Sequence, residues 1–478
     1  MANNNQNNKI NLLFLLAVAN LLAAFGGGSV LQRALAEVSG ERGSFPERFD
    51  EPLVALMIGT AIGLLLIVLM KKVRVKWLPK SRKVGSYFSF AGGLFSIALA
   101  VVFNLHKGHP QDKVDGHYYL FYALLSILFS LLFIPRVLRS DIAAGDKQKI
   151  GWVEFCYSTG MVLGLLAWTS LVDERAQPEF EMVLYYNVGF QVLAGILDFT
   201  SSHLTFADVA RPSSSSNIQR PLAFNWDLYI KVTIAVIALT ISIQVVTIEF
   251  RSAFKGLWQP NIILATFYFG AAIAALMFSM VKTKVELPHS SPKAVSGILA
   301  VDIFNKTRRI PFILLSLLTA LPLLLVITLN WNRCPAQLPC SLKDTQDKLM
   351  FAVFVLFITL SAFLFEWIVL ALFNFIGLKA KEKNREGLVA ITFGSMGIGA
   401  AISIFCLKVA QGVLTNSLTR HLCWVLILMA GIIIANLAIG STIRSVRFIP
   451  TLRFDFVKLI MNTFKVSTRR RANNYERR

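Results

Sequence analysis

Long apolar stretches recur twelve times in this chain of 478 residues, six before and six after a polar run at 208–225. The run reads DVARPSSSSNIQRPLAFN, and its two prolines, two arginines and four consecutive serines are typical of a solvated, flexible connector. A helix needs about 20 apolar residues to cross the hydrocarbon core of a bilayer. The pattern therefore predicts an all-α polytopic membrane protein, built as two six-helix halves around a polar linker.

The division of the chain follows from these stretches. We predict a first half at 1–207, the linker at 208–225, a second half at 226–443 and a basic tail at 444–478. Hydrophobic residues make up 55% of the chain, above the roughly 45–50% of soluble domains. The predicted spans lie at 11–30, 53–70, 87–105, 118–133, 152–172, 182–204, 228–248, 262–281, 312–330, 349–375, 388–409 and 422–442.

The basic residues behind the net charge of +21 are spread unevenly between the segments on the two sides of the predicted membrane spans. If the amino terminus is inside, the inner segments hold 34 of the 48 Lys and Arg residues, and the outer segments hold 13. Four of the inner residues fall in the segment 136–149, and Lys231 lies within a span. An excess of basic residues on one side is the positive-inside signal. It predicts cytoplasmic termini and linker in an inner (cell) membrane, attraction to anionic membrane lipids, and no nucleic-acid partner.

Small residues and cysteines give local predictions with open alternatives. The glycine run 26–28 in the first span allows either close helix packing or local unwinding, and Gly160-x-x-x-Gly164 has a helix-packing spacing. Cys334 and Cys340 share one outer loop, CPAQLPC, where they either form a disulfide or remain free thiols.

Glu366 is the one carboxylate that the sequence places near the centre of a span. A charge at that depth costs about 2.5–3.5 kcal/mol or more, so Glu366 is expected to face a cavity or a partner. Lys231 and Gln244 on the seventh span are the predicted partners, although Lys231 also suits a snorkelling role near a helix end. A carboxyl group there can bind and release a coupling proton, or it can be a protonated packing group.

Twelve spans in two sets of six, with a polar central loop, resemble the major facilitator superfamily. The loop GILAVDIFNKTRR at 297–309 is similar to the Gly…Asp…Arg-Arg signature of that family. The resemblance implies a gating latch at Asp302, Arg308 and Arg309. It also implies that spans one, four, seven and ten line a central cavity, with Asn20, Gln32, Tyr122, Gln244 and Glu366 as candidate substrate or coupling residues.

These features predict a secondary active transporter that moves a small organic solute by alternating access. We expect no cofactor, proton coupling, a symport mode and a monomer. The Gly-x-x-x-x-Gly-Lys loop of nucleotide-driven pumps does not occur in the sequence. A siderophore or drug transporter of the same fold is the alternative. A channel or a membrane-embedded enzyme is a weaker one, because the sequence shows neither a charged filter ring nor clustered His, Asp or Glu within spans.

Overall fold

The described part of the chain is helical throughout. The computed structural model describes seven long helices and the flanking positions 167 and 179. It also describes parts of the later chain, which are residues 237, 352, 355–356, 358–367, 369–370, 373, 389, 391–399 and 402. The helices are α1 (Ala2–Val38), α2 (Glu51–Lys72), α3 (Ser81–Lys107), α4 (Val114–Ala143), α5 (Lys147–Leu166), α6 (Phe180–His203) and α7 (Pro260–Met280).

Several of these helices suit a bilayer in length and polarity. Among the described residues, four stretches are long and apolar enough to cross a membrane, and they lie in α1, α3, α4 and α6. Shorter apolar helices occur at Val54–Ile67, Leu264–Met280 and Ile358–Trp367. Large apolar side chains such as Leu94 and Leu105 are exposed on the outer surface, as expected of helices that contact lipid. The protein is therefore an integral, multi-pass membrane protein.

The first six helices pack into one body, which we call the first helix set (α1–α6). In this set α1 packs against α5 and α6, α3 packs against α6 and α4, and α2 packs against α4. Its apolar core includes fully buried leucines and aromatic residues from nearly every helix, among them Leu35, Leu99, Leu125 and Phe180.

Small residues bring α1 and α5 into close contact. A methyl group built on Gly160 would collide with the carbonyl oxygen of Leu21, and one on Gly164 would collide with that of Phe25. The Ser29 hydroxyl donates a hydrogen bond to the carbonyl oxygen of Gly164 at 3.4 Å. The packing role predicted for the Gly-x-x-x-Gly spacing is confirmed.

The glycine run of α1 serves the same interface. The helix continues without a break through residues 26–28. A methyl group on Gly28 would lie 3.1 Å from the carbonyl oxygen of Met161 on α5. Of the two alternatives that the sequence leaves open, close packing is the one observed.

A second helix set, which we define as α7 with Ile358–Trp367 and residues 391–399, lies against the first. Helix α7 packs along α5, where a methyl group on Gly151 would lie 2.9 Å from the carbonyl oxygen of Ala275. Gly394 faces Leu64 of α2. The two helix sets therefore meet along α2 and α5.

One predicted boundary is wrong. The fourth span was expected to end at 133, with Arg136 and Arg139 in a cytoplasmic loop, but α4 continues to Ala143 and contains both arginines. Their charges are compensated by carboxylates from other helices, so they do not end the helix. The bounds of α2, α6 and α7 agree with the predicted spans to within two residues, and α3 and α5 begin five or six residues before the predicted starts. The predicted end of the fifth span at 172 lies outside the described residues.

Candidate functional site

Two buried groups of charged side chains lie side by side on α4. One is built on Arg139 and the other on Arg136, one helical turn earlier. We call the first the closed network (Asn20, Ser89, Arg139, Asp198) and the second the junction cluster (Arg136, Ser140, Glu154, Tyr157, Tyr268, Glu366, Phe393).

The closed network holds a fully satisfied arginine. Arg139 Nε donates to both carboxylate oxygens of Asp198, at 2.9 and 3.2 Å, and Nη2 lies 2.7 Å from Oδ2. Nη1 donates to Asn20 Oδ1 and Nη2 donates to Ser89 Oγ, each at 3.2 Å. The Arg139 side chain is 2% exposed and that of Asp198 is 4% exposed. Such a paired, hydrogen-bonded charge is stable in a bundle core, whereas either partner alone would be costly.

This network fastens the first helix set. Its four side chains come from α1, α3, α4 and α6. Asn20 extends it to α5, because its Nδ2 donates to the Val153 carbonyl oxygen at 3.0 Å. Asn20, which the resemblance placed among the residues that line a central cavity, is fully buried and bonded to Arg139 and to α5; its role in a cavity stays a prediction.

The junction cluster begins with an ion pair inside the first helix set. Arg136 Nη2 on α4 lies 3.1 Å from Glu154 Oε2 on α5. The other carboxylate oxygen of Glu154 accepts a hydrogen bond from Ser140 Oγ. Glu154 is buried completely, while the Arg136 side chain keeps 18% of its surface exposed. The pair is therefore closed on the Glu154 side and partly open on the Arg136 side.

Aromatic rings enclose the Arg136 guanidinium. Its central carbon lies 3.4 Å from the ring centroid of Tyr157 and 4.3 Å from that of Phe393. Both distances are within the range of cation–π attraction. Since Phe393 belongs to the second helix set, Arg136 contacts both sides of the interface.

Glu366 brings a second carboxyl group to this cluster from the second helix set. It is 8% exposed and interacts electrostatically with Glu154 and Arg136. The hydroxyl-bearing rings of Tyr157 and Tyr268 are also within electrostatic reach of it. Among the described residues, no side chain forms an ion pair or hydrogen bond with the Glu366 carboxyl group. The cluster thus holds two carboxyl groups for one guanidinium.

Further aromatic pairs extend from the cluster into the second helix set. The Tyr157 and Tyr268 ring centroids are 6.4 Å apart, across the contact between α5 and α7. Phe267 pairs with Phe365 at 6.2 Å. Aromatic pairs therefore continue from the junction cluster to α7 and to the helix that carries Glu366.

A third polar group, separate from both arginines, joins α1, α3 and α6. Asn187 Nδ2 donates to Ser96 Oγ at 2.8 Å, and Gln191 Nε2 donates to the Ala23 carbonyl oxygen at 3.2 Å and to Asn187 Oδ1 at 3.0 Å. Asn187 and Gln191 are fully buried, so this amide pair stabilises the helix contact. In the described part of the chain, no group of three or more His, Cys, Asp or Glu residues comes together as a metal site.

Comparison with known proteins identifies the fold. No protein-family model matches the sequence, and no curated protein is similar to it. Among solved structures, the chain is similar to a bacterial homologue of the iron transporter ferroportin in its outward-facing state, solved with and without soaked iron. Those two structures give TM-scores of 0.56 and 0.55, and each is 14% identical over 91% of this chain and 99% of the other. The fucose:proton symporter of E. coli gives a TM-score of 0.48 and 13% identity over 89% of this chain and 98% of the other.

The chain shares its fold with this ferroportin homologue. The junction cluster lies where the first and second helix sets meet. The closed network lies within the first helix set.

Some of the other predicted site residues lie within the described part of the chain, and the rest lie outside it. Gln32 on α1 is buried, and Tyr122 on α4 is half-buried with its ring edge-to-face with Phe121 at 5.1 Å. Tyr122 lies about 21 Å along α4 from Arg136, so it does not join Glu366. The other predicted residues fall outside the described part of the chain. They are Lys231, Gln244, the latch residues Asp302, Arg308 and Arg309, and the loop cysteines Cys334 and Cys340.

Sequence reasoning missed four charged residues of the two clusters. Arg136 and Arg139 were assigned to a loop, Glu154 was treated as the start of a span, and Asp198 was placed near a span end without a partner. The sequence did contain a signal that could have predicted these pairs. Arg136 and Arg139 follow the fourth predicted span on its inner side, and Glu154 and Asp198 lie near the inner ends of the fifth and sixth spans. Pairing across 18 and 59 residues of sequence cannot be read from a local hydropathy window.

Proposed function

We propose that this protein is a secondary active transporter that moves a small organic solute by alternating access, coupled to protons through Glu366. The observation that carries the proposal is the burial of Glu366, from the second helix set, against the Arg136–Glu154 pair of the first. A change in the charge of Glu366 acts directly on the contact that must open and close.

The electrostatics favour a titrating role. Glu154 is compensated by Arg136 and by the Ser140 hydroxyl, which leaves the Glu366 charge without a described counterion. Burial disfavours an uncompensated carboxylate, so the closed junction prefers the protonated form. When the halves separate and water enters, the ionised form becomes accessible. Proton binding and release then accompany the change between inward- and outward-facing states.

The proposal includes the arrangement expected from the sequence. Twelve spans form two halves joined by the linker at 208–225. The linker and both termini lie in the cytoplasm, and the protein is a monomer in the inner membrane. The positive-inside charge pattern supports this orientation. Reporter fusions after Ser213 and after Arg469 should both report cytoplasm, and reports from opposite sides would overturn the topology.

Transport in proteoliposomes tests the coupling. Purified full-length protein is reconstituted with a pH-sensitive dye inside, and a panel of small organic solutes is screened for solute-induced proton movement. We expect at least one solute to move protons with saturable kinetics and to accumulate when a pH gradient is imposed. Saturation and counterflow separate a carrier from a channel, because a channel shows neither.

Variants then assign the coupling. Glu366→Gln preserves the side-chain shape and removes the titrating group, and it should fail to accumulate the solute on a pH gradient. Glu181→Gln, on α6 outside the junction cluster, is the matched control and should accumulate it as the wild type does. A Glu366→Gln variant that still concentrates the solute would leave Glu366 with a structural role only.

A further inference from the structure

Helix α4 contains a proline at the turn that leads into both arginine clusters. Pro135 lies inside α4, which continues over Val114–Ala143. A proline has no backbone N–H, so the Leu131 carbonyl oxygen loses its helical donor, and the proline ring crowds the preceding turn. Sharp bends in helices occur mostly at such positions. Arg136 follows the proline directly, and Arg139 lies one turn later. The turn at Pro135 is therefore the part of α4 that bends at the lowest cost.

The part of α4 after the proline, which we call the short segment (136–143), is fixed to the first helix set. Its Arg139 makes five hydrogen bonds to Asp198, Asn20 and Ser89. These three partners lie on α6, α1 and α3, and all of them are buried. A motion that displaced the short segment would have to break this charged network, which is costly.

The part before the proline, which we call the long segment (114–134), is fixed to α2 instead. A methyl group built on Gly59 of α2 would collide with the carbonyl oxygen of Ser126. One built on Gly63 would lie 2.6 Å from a ring carbon of Phe133. Two glycines one turn apart thus bring α2 into close contact with the long segment over at least two turns.

The same two turns of α2 contact the second helix set. Thr60 and Leu64 directly follow the two glycines in the sequence. A methyl group on Gly397 would collide with the Thr60 hydroxyl group, and one on Gly394 would collide with the Leu64 side chain. The long segment of α4 is therefore connected through α2 to the second helix set, whereas the short segment is held by the closed network.

One side chain of the second helix set contacts α4 on both sides of the proline. The Phe393 ring lies edge-to-face with that of Phe133 in the long segment, with centroids 6.3 Å apart. The same ring lies 4.3 Å from the guanidinium carbon of Arg136 in the short segment. Both arrangements are attractive. Because a bend at Pro135 changes the spacing of the two contacts, Phe393 favours one angle between the segments.

We propose that α4 is hinged at Pro135 and that Phe393 of the second helix set determines the angle of the hinge. When the second helix set moves, the long segment follows α2 while the closed network retains the short segment. Withdrawal of Phe393 releases both contacts, and α4 takes a second angle. This inference rests on the proposed alternating-access function and adds a moving part within the first helix set.

Distances between spin labels on the full-length protein in lipid nanodiscs test the hinge. The five native cysteines are replaced by alanine. Labels are placed at Leu120 on the long segment and at Thr200 on α6, two exposed positions. Residue 120 lies about 22 Å along the helix from Pro135, so a bend of about 20° moves it by about 8 Å. We expect a second distance that differs from the first by about this amount.

Three variants assign the second distance. Pro135→Ala restores the N–H donor, so it should give one narrow distance and unfold at or above the wild-type temperature. Phe393→Ala removes the contacts on both sides of the proline and should raise the proportion of the second distance about twofold or more. Pro260→Ala is the matched control, because Pro260 begins α7, where a helix makes no bond to the backbone N–H. It should give the wild-type distances.

The opposite results overturn the inference. They are identical distances in the wild type and Phe393→Ala, or a second distance that persists in Pro135→Ala. A second distance between labels at Leu105 on α3 and Thr200 would also overturn it, since neither position is on α4. The proposed function fails by a different result, which is the absence of proton-coupled flux for every solute in the proteoliposome screen. Flux in the wild type with unchanged distances in Phe393→Ala would keep the function and reject the hinge.

Discussion

Arg136 and Arg139 lie three residues apart on α4, and each pairs with a buried carboxylate, yet their surroundings differ. Arg139 makes five hydrogen bonds to Asp198, Asn20 and Ser89, all within α1–α6. Arg136 has one ion pair, to Glu154, and two aromatic neighbours, of which Phe393 belongs to the other helix set. Arg139 is enclosed in the first helix set, and Arg136 lies on the contact between the first and second helix sets.

This difference indicates that Arg139 has a structural role and that Arg136 takes part in the proposed conformational change. In the proposed transport cycle, rocking of the two helix sets would leave the partners of Arg139 in place, because all of them belong to the first set. The same motion would separate Arg136 from Phe393 and move Glu366 away from Glu154. We infer that the closed network stabilises the first helix set and that the junction cluster changes during the proposed cycle.

The largest effect is expected from breaking the closed network. Arg139→Ala leaves the Asp198 charge buried without its partner, which costs about 3–5 kcal/mol of the free energy of unfolding. Thermal unfolding in detergent, with the yield of monodisperse protein as a second measure, should show a large loss. The double variant Arg139→Met with Asp198→Leu replaces the pair by apolar groups and should recover most of the stability. Equal stability of Arg139→Ala and wild type would remove the structural role from this network.

A smaller loss of stability is expected at the contact of α1 with α5. Gly164→Ala puts a methyl group against the Phe25 carbonyl oxygen and 2.9 Å from the Ser29 backbone nitrogen. Overpacking of this kind costs about 1–3 kcal/mol. Gly189→Ala on α6 is the matched control, since a methyl group there meets no described atom within 4 Å. If both variants unfold at the same temperature, close packing at Gly164 does not hold the first half together.

At the junction, the effect of a substitution should appear in transport more than in stability. Arg136→Lys keeps the positive charge but loses the planar group that stacks on Tyr157 and Phe393, an interaction of about 0.5–2 kcal/mol. We expect slower solute exchange in proteoliposomes and a nearly unchanged unfolding temperature. Arg139→Lys, three residues away, is the control and should show the reverse pattern. Normal exchange by Arg136→Lys would show that the stacked geometry has no part in the cycle.

The smallest effect on transport is predicted for Ser140→Ala. The substitution removes one hydrogen bond to Glu154 and leaves the ion pair with Arg136, at a cost of about 1–3 kcal/mol for a bond to a charged group. A modest fall in the unfolding temperature and retained accumulation on a pH gradient are the expected results. Ser126→Ala on α4, whose hydroxyl bonds only to its own helix, provides the baseline. Complete loss of accumulation would move Ser140 from a supporting role into the coupling step.

The sequence predicted the parts of this structure that depend on local composition. Span positions follow from apolar length, and the close packing of α5 on another helix follows from glycine spacing, because both are properties of neighbouring residues; the identity of that partner, α1, does not follow from the sequence. The location of Arg136 was not predictable in this way, since its compensating partner Glu154 lies on another helix. Glu366 stood out because a lone carboxylate in an apolar span is costly, but its neighbours depend on how the halves dock.

The central claim is the division of roles between the two clusters, and one side-by-side measurement tests it most directly. Solute accumulation on a pH gradient is measured per folded molecule for the wild type, for Glu366→Gln and for the double variant Arg139→Met with Asp198→Leu. We predict that the double variant accumulates the solute and that Glu366→Gln, although folded, does not. Accumulation by Glu366→Gln together with its loss in the folded double variant would contradict the account.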